Sequence, residues 1–196
     1  MKKIIIFTSV ILILAAIVPI LPTAEDREIY EKTLRLHILA NSDSEGDQAL
    51  KLKVRDAVLT LLSEDMAETE SREEAEAVVR AREAEIIATA EKVLRAEGSE
   101  DTVSLSLTEE YYPRREYEGV RLPAGRYLSL KVMLGKSQGQ NWWCVLFPTL
   151  CTSAAKPRDE LIDAGFTVGQ VRLITDSESP RYRLKFRLLE FLFGEE

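Results

Sequence analysis

The amino-acid sequence predicts an α+β fold: a single domain in which a mainly antiparallel sheet packs against two long helices, preceded by an N-terminal hydrophobic signal segment. Three observations carry this. Apolar residues recur every three to four positions between Asp47 and Ala96; they alternate with polar ones in several stretches after Gly98; and Ile4 to Leu21 is an almost unbroken apolar run behind Lys2 and Lys3.

The leading run is interrupted only by Thr8, Ser9 and Pro19. Two lysines ahead of an apolar stretch are the start of an export signal, held on the cytoplasmic side while the rest translocates. Ala24 suits the last position before a cut, Pro22 stands where a small residue is wanted, and roughly 18 apolar residues approach spanning length. A cleaved signal and an uncleaved anchor both fit. No Cys precedes Cys144, which excludes a lipid-anchored N-terminus. The division is therefore 1–24, signal or anchor, and 25–196, one extracytoplasmic domain.

Glu25 to Glu31 reads as a polar lead-in, and Leu34-Arg35-Leu36-His37-Ile38 alternates as a strand does. Asn41 to Asp47 is a cluster of turn and cap residues. Ser44, three before Asp47, opens a helix whose buried stripe is Leu50, Val54, Val58 and Leu61, with Lys51 and Arg55 toward solvent. A second helix runs from Ser71, in the capping box Ser71-Arg72-Glu73-Glu74, to Ala96, and Gly98 stops it. Its inner face is Ala75, Val79, Ile86, Ala90 and Val93; its many Glu and Arg form a solvated face.

Strands follow at Val103–Leu107, Tyr127–Leu134 and Trp142–Phe147, the last two joined through Gly135–Asn141 as a β-hairpin. The connection from Tyr111 to Gly125 is too long and too aromatic for a plain turn, and such loops are often functional. Pro157 to Gly165 suits a short helix. Val171–Ile174 and Tyr182–Phe186 read as further strand material, with a last helical turn through Leu189 and Phe191.

Composition narrows the function. With Lys+Arg 26 against Asp+Glu 33 and a net charge of -7, generic nucleic-acid binding is disfavoured, because neutralising phosphates needs a basic surface. One His and two Cys do not furnish a structural zinc site, and the calcium-loop pattern begun at Asn41 fails at its twelfth position, Leu52. No metal or other cofactor is expected. Cys144 and Cys151 are either a disulfide, which requires a bend at Pro148, or two buried thiols. His37 with a cysteine, and Asn141 as orienting group, would sketch a Cys–His nucleophile, but the apolar setting of Cys144 disfavours a thiolate. No GxSxG, HExxH or phosphate-binding glycine loop is present after the leader. No catalytic residue is assigned.

Three strings then stand together: RLHILANSDSEGDQALKLKVRD over 35–56, Pro123-Ala124-Gly125-Arg126-Tyr127, and NWWCVLFP over 141–148. In these the chain resembles the stage II sporulation protein R family. Gly46 departs from the acidic or polar residue expected there, and the segment after Cys151 is only loosely similar. The resemblance implies a protein that is made in the forespore, is secreted into the space between forespore and mother cell, and acts as a signal. Its partner would be a membrane-embedded aspartic protease that processes the pro-form of the mother-cell sigma-E factor. Contact with a membrane would come only through the N-terminal segment or that partner. The surface nominated for the partner combines Arg35, His37, Asn41 and Asp43 with Trp142 and Trp143, because Trp and Arg are favoured interface anchors. Readings from other classes are an exported cell-envelope hydrolase using His37 with an acidic residue, and a generic envelope binding module.

Overall fold

A computed structural model describes residues 2–17, 24–117, 120–150 and 157–175. The apolar N-terminal run forms α1 (Lys2–Ile17), whose described side chains stand in solvent, Leu12 at 70% exposure. Among the described residues no helix is long and apolar enough to cross a membrane. Next comes α2 (Ala24–Glu31), where a polar lead-in is expected; Asp26 and Ile29 recur one turn apart and are buried, so docking settles what composition left open.

The alternating strand is β1 (Leu34–Leu39), and α3 (Glu45–Glu68) follows it. Ser44 is its N-cap, accepting a bond from the Asp47 amide at 3.1 Å. The buried stripe is Val54, Val58, Leu62 and Met66, a four-residue step that leaves Leu50 and Leu61 half-buried. Lys51, expected in solvent, is buried at 5% exposure, and its amine donates to Gln48 Oε1 and the Gln140 carbonyl at 2.6 and 2.9 Å.

The second long helix is in fact two, α4 (Arg72–Ala81) and α5 (Glu83–Ala96). Ser71 caps the first through the Glu74 amide. At the junction Arg82 leaves helical geometry and ties to Asp65 of α3 at 2.6 Å and Glu85 at 2.8 Å, which anchors the break against α3. Ala75, Val79, Ile86, Ala90 and Leu94 face the core. Gly98 ends the run at φ +76°, a backbone that residues with a Cβ avoid.

The remaining strands are β2 (Val103–Tyr112), β3 (Arg115–Tyr117), β4 (Val120–Leu122), β5 (Gly125–Leu134) and β6 (Asn141–Phe147). The main sheet has the order β2-β5-β1-β6, with β1 parallel to β5 and the other two ladders antiparallel. The expected β5–β6 hairpin does not form, because β1 lies between its arms. The connecting residues pass over the end of β1 instead. There the amides of Gln138 and Gly139 donate to the carbonyls of Asn41 and Ala40 at 3.2 and 3.0 Å, and a Cβ on Gly139 would collide with the Ser42 carbonyl. β1 takes the central place because both its faces are covered: Leu34, Leu36 and Ile38 on one, Arg35 and His37 on the other.

Helices α3–α5 cover the first sheet face, over a core that includes Leu36, Val58, Ile86, Leu130 and Cys144. The second face carries a smaller layer. It consists of α2, the β3–β4 ribbon, α6 (Pro157–Asp163) and α7 (Val168–Thr175), packed around Ile29, Tyr112, Tyr127, Val145 and Phe166. The short helix expected from Pro157 is present. Val171–Ile174 is helical and not strand: Thr167 and Gln170 bond each other's amides at the start of α7, and Val171 and Ile174 are buried one turn apart. The strand and turn expected at 182–186 and 189–191 lie outside the described residues.

Candidate functional site

In β1 the alternation sends Arg35, His37 and Leu39 to the second face. Register then builds rows across all four strands. Thr108, Ser129, Arg35 and Val145 form one; Ser106, Lys131, His37 and Trp143 the next; Ser104, Met133, Leu39 and Asn141 the third. The small layer covers Ser129, Arg35 and Val145 of the first row but leaves Thr108 exposed at the sheet edge, and the third row ends in exposed Ser104 and Asn141.

Arg35 sits in the covered row and is fully buried. Its nomination as a surface anchor is therefore corrected. The guanidinium lies 4.2 Å from the ring centre of Tyr112, 5.0 Å from Tyr127 and 5.3 Å from Tyr117. Nε donates to the Cys144 carbonyl at 3.0 Å and Nη2 to the Tyr117 hydroxyl, while Nη1 has no hydrogen-bond partner among the described residues. Three aromatic faces stand where a carboxylate would be usual, each worth up to roughly 2 kcal/mol when desolvated. Burial holds the Tyr112 and Tyr127 hydroxyls above the usual tyrosine range, although the Arg35 charge pulls the other way.

One row outward, His37 is 7% exposed. Its Nδ1 lies 3.0 Å from Glu110 Oε2 and its Nε2 2.8 Å from Asn141 Oδ1; a singly protonated ring donates to one, a doubly protonated ring to both. Lys131 donates to the other Glu110 oxygen at 2.6 Å. Burial pushes the Glu110 carboxyl up, but the bonds from Lys131 and His37 outweigh it and hold it below the usual carboxylate range. Trp143 packs on His37 at 5.6 Å between ring centres, and the Arg115 guanidinium caps the indole at 4.1 Å. Trp142 faces the opposite way, half-buried against the helical layer with Arg55 over it at 5.1 Å.

Asn41 and Asp43 lie at the end of β1. Asn41 Oδ1 accepts from the Lys136 amide, and its Nδ2 donates to Asp47, which also accepts from Ser42 Oγ. The Ser42 bond is the main reason the Asp47 carboxyl is held below its usual range. Asn41 thus locks the crossing loop, whereas Asp43 is exposed. Of the nominated residues, the fold gathers His37 and Trp143, buries Arg35 beneath them, and sets Trp142, Asn41 and Asp43 elsewhere.

The Cys–His arrangement is not made. Cys144 points into the helical-side core and is disulfide-bonded, while His37 lies on the other sheet face. Cys151 lies outside the described residues. Asn141 does orient His37. Glu110, Lys131, Tyr112, Arg115 and Tyr117 join the site without any motif of their own; the aromatic, arginine-bearing stretch after Tyr111 is the one signal that points toward three of them. Among the described residues no three His, Cys, Asp or Glu side chains gather as metal ligands.

The sequence family described as Stage II sporulation protein R (spore_II_R) matches residues 30–156, which contain β1 to β6 and every row of the site. The chain belongs to that family. A curated relative, Stage II sporulation protein R of Bacillus subtilis (strain 168), is 41% identical over 123 residues, covering 63% of this chain. The match spans 55% of that relative's length. No solved structure matches. Membership of the stage II sporulation protein R family supports a role in sporulation.

Proposed function

We propose that the chain is an exported sporulation signal that activates a membrane-embedded aspartic protease, which then processes the pro-form of the mother-cell sigma-E factor. The family match over residues 30–156 carries this reading. Residues 1–24 deliver residues 25–196 from the forespore into the space between forespore and mother cell. The division is supported by burial of Asp26 and Ile29 in α2, while α1 stands in solvent. A Cys144–Cys151 disulfide suits that compartment. Catalysis belongs to the partner. A soluble domain raises a protease's activity by binding its active arrangement more tightly than its inactive one. Co-expression of the chain, the protease and the pro-sigma substrate in a non-sporulating host should yield processed sigma factor; unprocessed substrate would sink the reading.

The contact between His37 and Glu110 favours a second reading, the envelope hydrolase. Against it, His37 Nε2 meets an amide oxygen and no hydroxyl or thiol. Hydrolysis of cell-wall fragments or peptides by the purified chain, lost in His37→Ala, would establish it.

A further inference from the structure

The main sheet ends at β2, and that edge is unguarded. β2 bonds β5 on one side through an unbroken register from Val103 to Tyr112, and among the described residues no strand lies on its other side. In an antiparallel edge strand every second residue turns its N–H and C=O outward, a template for another strand. Such edges are ordinarily blunted by lysine, proline, a bulge or a covering segment. Val103–Thr108 carries no charged residue and no proline, its ladder has no bulge, and Val103, Leu105 and Leu107, which pack against the helical-side core, are only half-buried.

The chain itself holds a segment with the matching pattern. Basic Arg181, Arg183, Lys185 and Arg187 alternate with Tyr182, Leu184, Phe186 and Leu188. In a strand this period puts the four apolar side chains on one face and the charges on the other. Laid along β2, the apolar face continues the half-buried row of Val103, Leu105 and Leu107. The basic face then runs beside Ser104, Ser106, Thr108 and Glu110, where Ser104 and Thr108 are exposed and charges stay in water. The other edge strand, β6, does not suit it: Cys144 to Phe147 are buried on both faces, so the basic side would have to enter a core. Chain geometry agrees. Ile174, in the last turn of α7, packs in the same cluster as Tyr112, the last residue of β2. Residues 176–181 can then reach about 20 Å, enough to bring Tyr182 to that end of β2 and set the segment antiparallel to it.

We infer that residues 182–188 add to β2 as a fifth strand of the main sheet, so that the chain's own C-terminal segment covers the open edge.

Hydrogen–deuterium exchange on the full chain tests this. In the unaltered chain the outward-facing half of the Val103–Tyr112 amides, and amides within 182–188, should exchange slowly. Leu184→Asp with Phe186→Asp should speed both sets by roughly tenfold or more and leave the α3 amides unchanged. Arg183→Thr with Arg187→Thr keeps the apolar face and should retain the protection. Fast exchange of the outward β2 amides in the unaltered chain, or equal exchange in it and the Asp variant, would overturn the pairing. Protection that rises with protein concentration would overturn it too, by placing a second copy on the edge. Equal loss in the Thr variant would overturn the assignment of faces. If the Asp variant also loses protection in α3 it has unfolded, and the unaltered chain and the Thr variant decide.

Discussion

Arg35 occupies a position that most proteins would give to an apolar side chain, and its neighbours explain how a charge survives there. Three tyrosine faces and the Cys144 carbonyl replace water around the guanidinium. Because the contacts depend on a flat, delocalised cation, lysine is a poor substitute. Arg35→Ala should lower unfolding free energy by about 2–4 kcal/mol in denaturant titrations, through the void and the lost aromatic contacts. Under the activator role proposed above, any effect on sigma-factor processing should track the loss of folded protein. Glu110 makes a prediction of opposite visibility. Its carboxyl is held below the ordinary 4.5, so its stabilising contribution is complete above about that pH and is lost as pH falls through the lower folded value. Urea unfolding followed from neutral to acid pH should therefore fall more steeply for wild type than for Glu110→Gln; parallel curves would contradict the arrangement. Neither environment is readable from the chain, since Tyr112, Tyr117 and Tyr127 reach Arg35 from 77 or more positions away only once three strands have paired.

Secondary elements were legible where their signals are local. Ser44 and Ser71 cap helices because the bonds they accept come from amides three residues on, and Gly98 ends one for a reason internal to its own backbone. Thr167 and Gln170 carry an equally local signal, which outweighs the strand-like short apolar run that follows. The missing hairpin is different in kind. Gly135 to Gln140 is turn-like in composition, and composition does not say whether the strands it joins are neighbours or stand one strand apart. Here the loop is fastened over β1 by Asn41 and by close approach at Gly139. Gly139→Ala should cost about 1–3 kcal/mol in thermal or denaturant unfolding, because the Ser42 backbone must move to admit a methyl group. A neutral outcome would show that the crossing is looser than described.

At the scale of the whole molecule, the sheet separates two tasks. One face is sealed by α3–α5 over a contiguous apolar core; the other carries a smaller layer, and the candidate site lies beneath and beside that layer. Residue types and their periods determined by themselves that the chain is an α+β domain behind an apolar N-terminal run, with two capped helical stretches and four principal strands, and long motif strings sufficed to suggest its family. Those features depend on interactions within a few residues, or on patterns that any burial would enforce. Only the tertiary structure decided that β1 is central, that Arg35 is buried while Trp143 remains half-exposed, and that Glu110, Lys131 and Arg115 join His37. Which strand lies beside which, and therefore which face each side chain meets, depends on pairing between residues far apart in the chain, where local propensity has no say.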